Sequence, residues 1–249
     1  MPNGDAFDDA VEIASANPGL GVGLHISLVG GRCVAPADDL HGLTGPDGNL
    51  PASYSAFVQA YISRRFRMAQ VRAEIEAQFE RALSTGITFT HVDSHQHLHM
   101  LPSVFNVVLD LAKSSGIRTI RIPAERKRIP ASSRGLQTSI LLLLCRVCRR
   151  RAAVAGMRVV DHFWGLADSG RMDETHLTAI LKSLSPGVNE IMCHPGLADA
   201  ETRARYDWGY RWDDEHSALV SSAIRLIVEE RGIRLAGFGE AWEGRKVES

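Results

Sequence analysis

Six short apolar runs punctuate the chain: Leu20–Leu28, Ile87–Asp93, Ile117–Ile122, Val159–Phe163, Asn189–His194 and Ile233–Phe238. Several are nearly continuous in apolar character, as strands are when helices cover them. The stretches between them carry helical spacing. Ala69–Leu83 shows it best, with Val71, Ile75, Phe79 and Leu83 four apart and charges between them. Ala6–Ala14, which opens after Asp5 in the N-cap position, is joined by Val104–Ala112, Leu136–Ala155, Glu174–Leu184 and Ser217–Glu230. Strand alternating with helix reads as an α/β chain of βαβ units around a parallel sheet. Two segments break the rhythm. Val29–Ser55 holds five glycines and three prolines and predicts a long loop of the kind that covers a site. Arg118–Arg158 holds eleven Lys/Arg and one acid, Glu125, a local charge of about +10.

Composition narrows the class. At 249 residues, 45% hydrophobic and 23% charged, the chain can bury a core without disulfides or structural metal, which excludes disordered and collagen-like classes. No linker composition divides it, so a single domain over residues 1–249 is expected. A formal net charge of −1 excludes the basic footprint of a general nucleic-acid binder. The longest apolar run, Ile140–Cys145, is far short of the roughly 20 residues of a membrane span. Four scattered cysteines form no disulfide framework and the N-terminus has no signal-peptide pattern, so a reduced, cytoplasmic compartment is expected.

Histidines carry the chemistry. Four of the ten fall in His91–His99, at the end of the second apolar run. Residues two apart share a face of extended chain, so His91, Asp93, His95, His97 and His99 line one side for as far as the extension lasts. The bland reading is a solvated histidine-rich loop. In Leu20–Leu28 the apolar residues alternate, which puts His25 on the opposite face beside Gly21, Gly23 and Ser27. His194 ends the fifth run and is followed at once by Pro195-Gly196, a turn signal. In parallel α/β folds, site residues gather at the carboxyl ends of strands, where His25, Asp93, His95 and His194 all fall. Two or three imidazoles with a carboxylate suit a hydrolytic divalent ion, and a further histidine can protonate a departing amine. No phosphate loop, dinucleotide fingerprint or nucleophile elbow competes with this chemistry.

The blocks GVGLHISL, THVDSHQHLHMLP and EIMCHPG, in this order, resemble the YdjC-like carbohydrate deacetylases, which include chitooligosaccharide deacetylases and a hopanoid-biosynthesis branch. The resemblance runs from Asn3 to about Glu240. It implies a distorted or partial (β/α) barrel that removes N-acetyl groups from amino sugars, with His25 and His95 on a divalent metal and His194 as catalytic acid or substrate contact. The family points to magnesium, whereas histidine ligands favour zinc by softness. Family members begin with a strand ending in Asp-Asp-Phe-Gly, whose aspartates supply a third ligand and the base. Pro2–Val11 resembles the family's segment beyond that strand, so the first strand is expected to be missing, with Asp93 a catalytic stand-in. Asp8-Asp9 reads instead as the acidic first turn of a helix.

The remaining signals are weaker. His97, His99 and Arg121 are expected to bind substrate, with a surface ion pair the alternative for Arg121. Cys145-x-x-Cys148 falls within a helix and reads as two thiols rather than a metal or redox site. Arg146 and Arg149–Arg151 come after the apolar run and suit either peripheral membrane contact or the solvated end of a barrel helix. Trp208 and Trp212, four apart, suit sugar stacking or plain packing. The expected partners are an N-acetylated sugar or glycolipid and a second copy as homodimer. The competing functions are a metal- or sugar-binding homologue inactivated by loss of the Asp-Asp segment and a phosphoesterase, the latter short of carboxylates.

Overall fold

The computed structural model describes residues 1–125, 133–206 and 208–243, with the backbone alone for 133–138. The chain forms two compact units, Met1–Ile122 with Leu143–Val159 and Gly237–Ser249, and Pro123–Leu142 with Val160–Ala236. Arg126, Lys127 and Arg128 of the basic run lie outside the described residues.

In the first unit α1 (Phe7–Ala16) precedes β1 (Val22–Ile26), followed by α2 (Tyr54–Ile62), α3 (Met68–Leu83), β2 (Phe89–Ser94) and α4 (Pro102–Ser114). Asp8 and Asp9 occupy the first turn of α1, where acids suit the helix dipole, and Asp8 lies 3.7 Å from Arg81. β1 pairs with β2 in parallel. The expected third strand, Ile117–Ile122, is reduced to parallel bridges: Val92 with Ile120, and Thr119 with Arg158. Leu24, Ile26 and Val92 of the sheet, Ile75 and Phe79 of α3, and Val104 and Val108 of α4 are all buried, on the apolar faces the spacing predicts. From Leu143 on, α5 (Ser133–Val154) turns Cys145, Cys148 and Ala152 inward. Both thiols are free, and burial pushes Cys145 up to about 12 and Cys148 up to about 11.

The loop after β1 is held rather than loose. Glu74 and Gln78, one turn apart on α3, are fully buried. The Glu74 carboxylate accepts the Val34 and Ala35 N–H groups at 3.0 Å, and Gln78 exchanges bonds with both Ser27 N–H and Ser27 C=O. The segment contains a short 3₁₀ turn, Ala37–Leu40, and ends at Ser53, whose hydroxyl caps α2 by accepting from Ala56 N–H.

In the second unit β3 (His162–Trp164) pairs in parallel with β4 (Asn189–Ile191), with α6 (Glu174–Ser183), α7 (Ala200–Arg205), α8 (Trp212–Leu219) and α9 (Ser222–Glu230) around them. Its core is Met172, Leu177, Ile180, Leu181, Ala218 and Ile224. The helix expected over Ser217–Glu230 is broken because Ser221 caps α9, accepting from Ala223 N–H. The strand expected over Ile233–Phe238 does not form. Among the described residues no helix is long and apolar enough to cross a membrane.

Candidate active site

The β1–β2 register sets His25 opposite Asp93. Leu24 and Ile26 point into the core, so alternation turns His25 to the other face, with a third of its side chain exposed. Its Nδ1 lies 2.7 Å from Asp93 Oδ1. An ionised carboxylate only accepts, so Nδ1 donates to it and Nε2 is the ring nitrogen that Asp93 does not engage. The second Asp93 oxygen accepts from Arg121 Nη1. Asp93 is 3% exposed. Burial works against its charge, but His25, which donates to it, and Arg121 outweigh that cost and hold the carboxyl well below the usual carboxylate range. Arg121 therefore forms a largely buried ion pair, not the surface pair given as its alternative.

The extended chain stops at Ser94. His95 opens a 3₁₀ turn, His95–Met100, whose Gln96 and His97 have φ of 52° and 55°. His95 stays with the site, its ring centroid 5.9 Å from that of His25 in a T-shaped arrangement. The left-handed pair then turns the chain, so the shared face ends with the extension at Ser94, before His97 and His99. His99 is fully buried, with Nδ1 2.6 Å from Ser94 Oγ and Nε2 2.9 Å from the Arg121 carbonyl. Both ring nitrogens are used internally, which corrects its expected contact with substrate: His99 ties the turn to the backbone that carries Arg121. His97 is half-buried, and desolvation, with the charges of His99 and Arg121, pushes its imidazole down to about 3. Gln96 Oε1 accepts from Tyr54 N–H at 3.1 Å, joining the start of α2 to the same turn.

His194 lies in the second unit, three residues past β4. Its backbone N–H donates to Glu215 on α8, and the Tyr210 ring sits 5.0 Å from its imidazole. Glu215 is fully buried and also accepts from Met172 N–H at 3.1 Å. Sequence reasoning passed over Glu215. Its one signal was an acid three residues before Ala218, on the face that α8 buries.

Among the described residues no group of three or more His, Cys, Asp or Glu side chains is disposed to hold a metal ion. Two imidazoles, His25 with an orienting carboxylate behind it and His95, suit a divalent ion in donor chemistry, and they supply two ligands rather than a full set.

Comparison with known proteins adds the family. The model of the YdjC-like protein family matches residues 1–230. The chain is 34% identical to a human protein named carbohydrate deacetylase, over 96% of this chain and 80% of that one. A mouse carbohydrate deacetylase is 31% identical over 96% of this chain and 84% of its own length. A chitooligosaccharide deacetylase of Klebsiella pneumoniae is 29% identical, again over 96% and 84%. The fold is similar to a crystal structure from Enterococcus faecalis described as a cellobiose-phosphate cleavage protein, with TM-score 0.72 and 22% identity over 96% of this chain and 84% of that one. The expected resemblance is met over most of the sequence, and the chain belongs to the YdjC-like protein family.

Proposed function

We propose that this protein is a metal-dependent hydrolase that removes N-acetyl groups from amino sugars of the chitooligosaccharide or glucosaminyl-lipid type, on a partial (β/α) barrel. Relatives named carbohydrate deacetylase support the substrate class and the hydrolytic reaction. The observation that carries the reading is the register that sets His25 against the buried Asp93, with His95 beside it.

In deacetylation a water oxygen bonds to the acetyl carbon, the C–N bond breaks, and the nitrogen leaves as an amine after gaining a proton. A magnesium or zinc ion bound by His25 and His95 would supply polarisation of the carbonyl and a more acidic water. Asp93 fixes the His25 tautomer and balances positive charge near the ring. With both oxygens engaged and its carboxyl held far below the usual range, it orients better than it accepts a proton. His97 and Arg121 are assigned to the substrate side. His194 is assigned the proton for the departing amine, its backbone held by Glu215.

Acetate release from N,N′-diacetylchitobiose is the test. It should be abolished by EDTA and by His25→Ala or His95→Ala, and release that survives both treatments overturns the mechanism. A second reading, a homologue that binds metal or sugar without turnover, is favoured by the two-ligand set. Calorimetric sugar binding by the wild type with no acetate released under any divalent metal would establish it instead. Exposed Leu143, Val147 and Val154 beside Arg146 and Arg150 on α5 support peripheral membrane contact, to be checked by vesicle sedimentation. A cytoplasmic setting and a homodimer belong to the same proposal.

A further inference from the structure

Four aromatic residues occupy alternate positions from the end of α7 to the first residue of α8: Tyr206, Trp208, Tyr210 and Trp212. Their rings interlock. Centroids lie 4.9 Å apart for Tyr206 and Trp208, 5.7 Å for Trp208 and Tyr210, and 6.2 Å for Tyr210 and Trp212. These are the tilted and edge-to-face spacings that aromatic quadrupoles favour.

One end of the cluster is fixed. The Tyr210 hydroxyl lies 3.0 Å from Ser169 Oγ, and its ring presses on Gly170, where an added Cβ would come within 2.3 Å of it. Trp212 starts α8 and packs beside Gly196, two residues past His194. Tyr210 also faces the His194 imidazole. The other end is presented: Trp208 keeps half its surface in water. The same stretch of chain carries ion pairs, Arg211 with Asp173 and Asp214, and Arg203 with Asp213.

A large flat apolar face held by other rings, on a stretch of chain that also carries polar and charged groups, matches the chemistry of a pyranose. Such a ring presents C–H bonds on one face and hydroxyls at its edge. A side chain present only for packing would bury its area, since exposed indole surface forgoes about 25 cal/mol for each Å² left in water. We propose that Trp208, backed by Tyr206, Tyr210 and Trp212, is a stacking platform for a pyranose ring of the substrate and determines specificity. The binding part stands on this geometry alone, and its link to turnover rests on the deacetylase reading above.

The test is titration of the intact protein with N,N′-diacetylchitobiose, followed by tryptophan fluorescence and calorimetry, alongside acetate release. The wild type should show saturable fluorescence change. Trp208→Ala should remove it and weaken binding by about tenfold, as expected for loss of about 55 Å² of apolar contact at about 25 cal/mol per Å². Trp208→Phe, which keeps an aromatic face, should recover most of the affinity. In the release assay the alanine variant should raise KM more than it lowers kcat. An alanine variant that melts lower but binds the disaccharide as wild type does would mean packing only, and would overturn the platform. A change in oligomeric mass with unaltered sugar affinity would overturn it too, because a second copy would then cover the face. Saturable binding lost in the alanine variant, with no acetate released by the wild type, would keep the platform and sink the deacetylase reading.

Discussion

Asp93→Asn is the sharpest probe of the site. The native carboxylate accepts from His25 with one oxygen and from Arg121 with the other, in a position 3% exposed. An amide keeps one acceptor and replaces the other with a donor, so either His25 or Arg121 must face an N–H group across a dry contact. Removing one partner of a buried ion pair costs about 3–5 kcal/mol, because the remaining charge stays buried and uncompensated. For a chain of this size each kcal/mol shifts the melting temperature by about 2–4 °C, so a fall of about 6–20 °C is expected. Thermal melting by circular dichroism at neutral pH measures it. Arg121→Met is the control, since in the double variant both charges are gone and the combined loss should be smaller than the sum. Acetate release by Asp93→Asn should fall as well, because the neutral amide balances no charge beside His25 and can turn a donor towards its Nδ1. A melting temperature within about 2 °C of the wild type would refute the buried pair, as a shift that small corresponds to under about 1 kcal/mol.

Three further outcomes are expected. Glu74→Ala strips the Val34 and Ala35 N–H groups of their acceptor, at about 1–3 kcal/mol for each buried donor, and should lower the melting temperature while speeding proteolysis of the loop after β1; resistance equal to the wild type would count against that anchor. Gly42→Ala places a Cβ 2.3 Å from the Arg65 carbonyl oxygen at φ +85° and should cost about 1–3 kcal/mol by urea denaturation, an unchanged midpoint being the contrary result. Burial pushes His99 down from 6.5 to about 4, so the unfolded chain takes up this proton first as the pH falls: stability is full above about 6.5 and is lost towards about 4, with about 2 kcal/mol gone by pH 5. Urea midpoints at pH 7 and pH 5 check it, and His99→Gln should flatten that part of the slope.

Periodicity located α3, α4 and α6 to within a few residues, because each buries one stripe of well-spaced side chains. It placed the cores of β1 and β2 for the same reason. It could not show that Ile117–Ile122 pairs only through single bridges, since a buried apolar run looks the same whether or not its ladder is continuous. The break at Ser221 was visible only as a serine inside an apolar-periodic stretch, a residue that caps helices as readily as it sits on their solvent face. In the site, the pairing of His25 with Asp93 arises from strand register, a property of two segments 68 residues apart that no local pattern contains. Glu215 and Glu74 were hidden for a related reason. A buried acid on a helix resembles an exposed one until the backbone donors that satisfy it are known.

The histidine block divides its labour. His25 and His95 face each other across the ends of two adjacent strands, whereas His99 is spent inside the protein. That division has a physical basis in the two left-handed residues, Gln96 and His97, since each non-glycine residue held there costs about 1–3 kcal/mol and must be compensated by its surroundings. His99 supplies part of that compensation: its ring bridges Ser94 and the Arg121 carbonyl, and its N–H closes the turn on Ser94 Oγ at 3.0 Å. The turn thus fixes His95 at one end, and through the same imidazole it fixes the backbone of Arg121, whose side chain holds Asp93 and, through it, His25. A histidine that never meets substrate can in this way be as necessary to the geometry of the site as one that does, because it keeps a strained turn from relaxing.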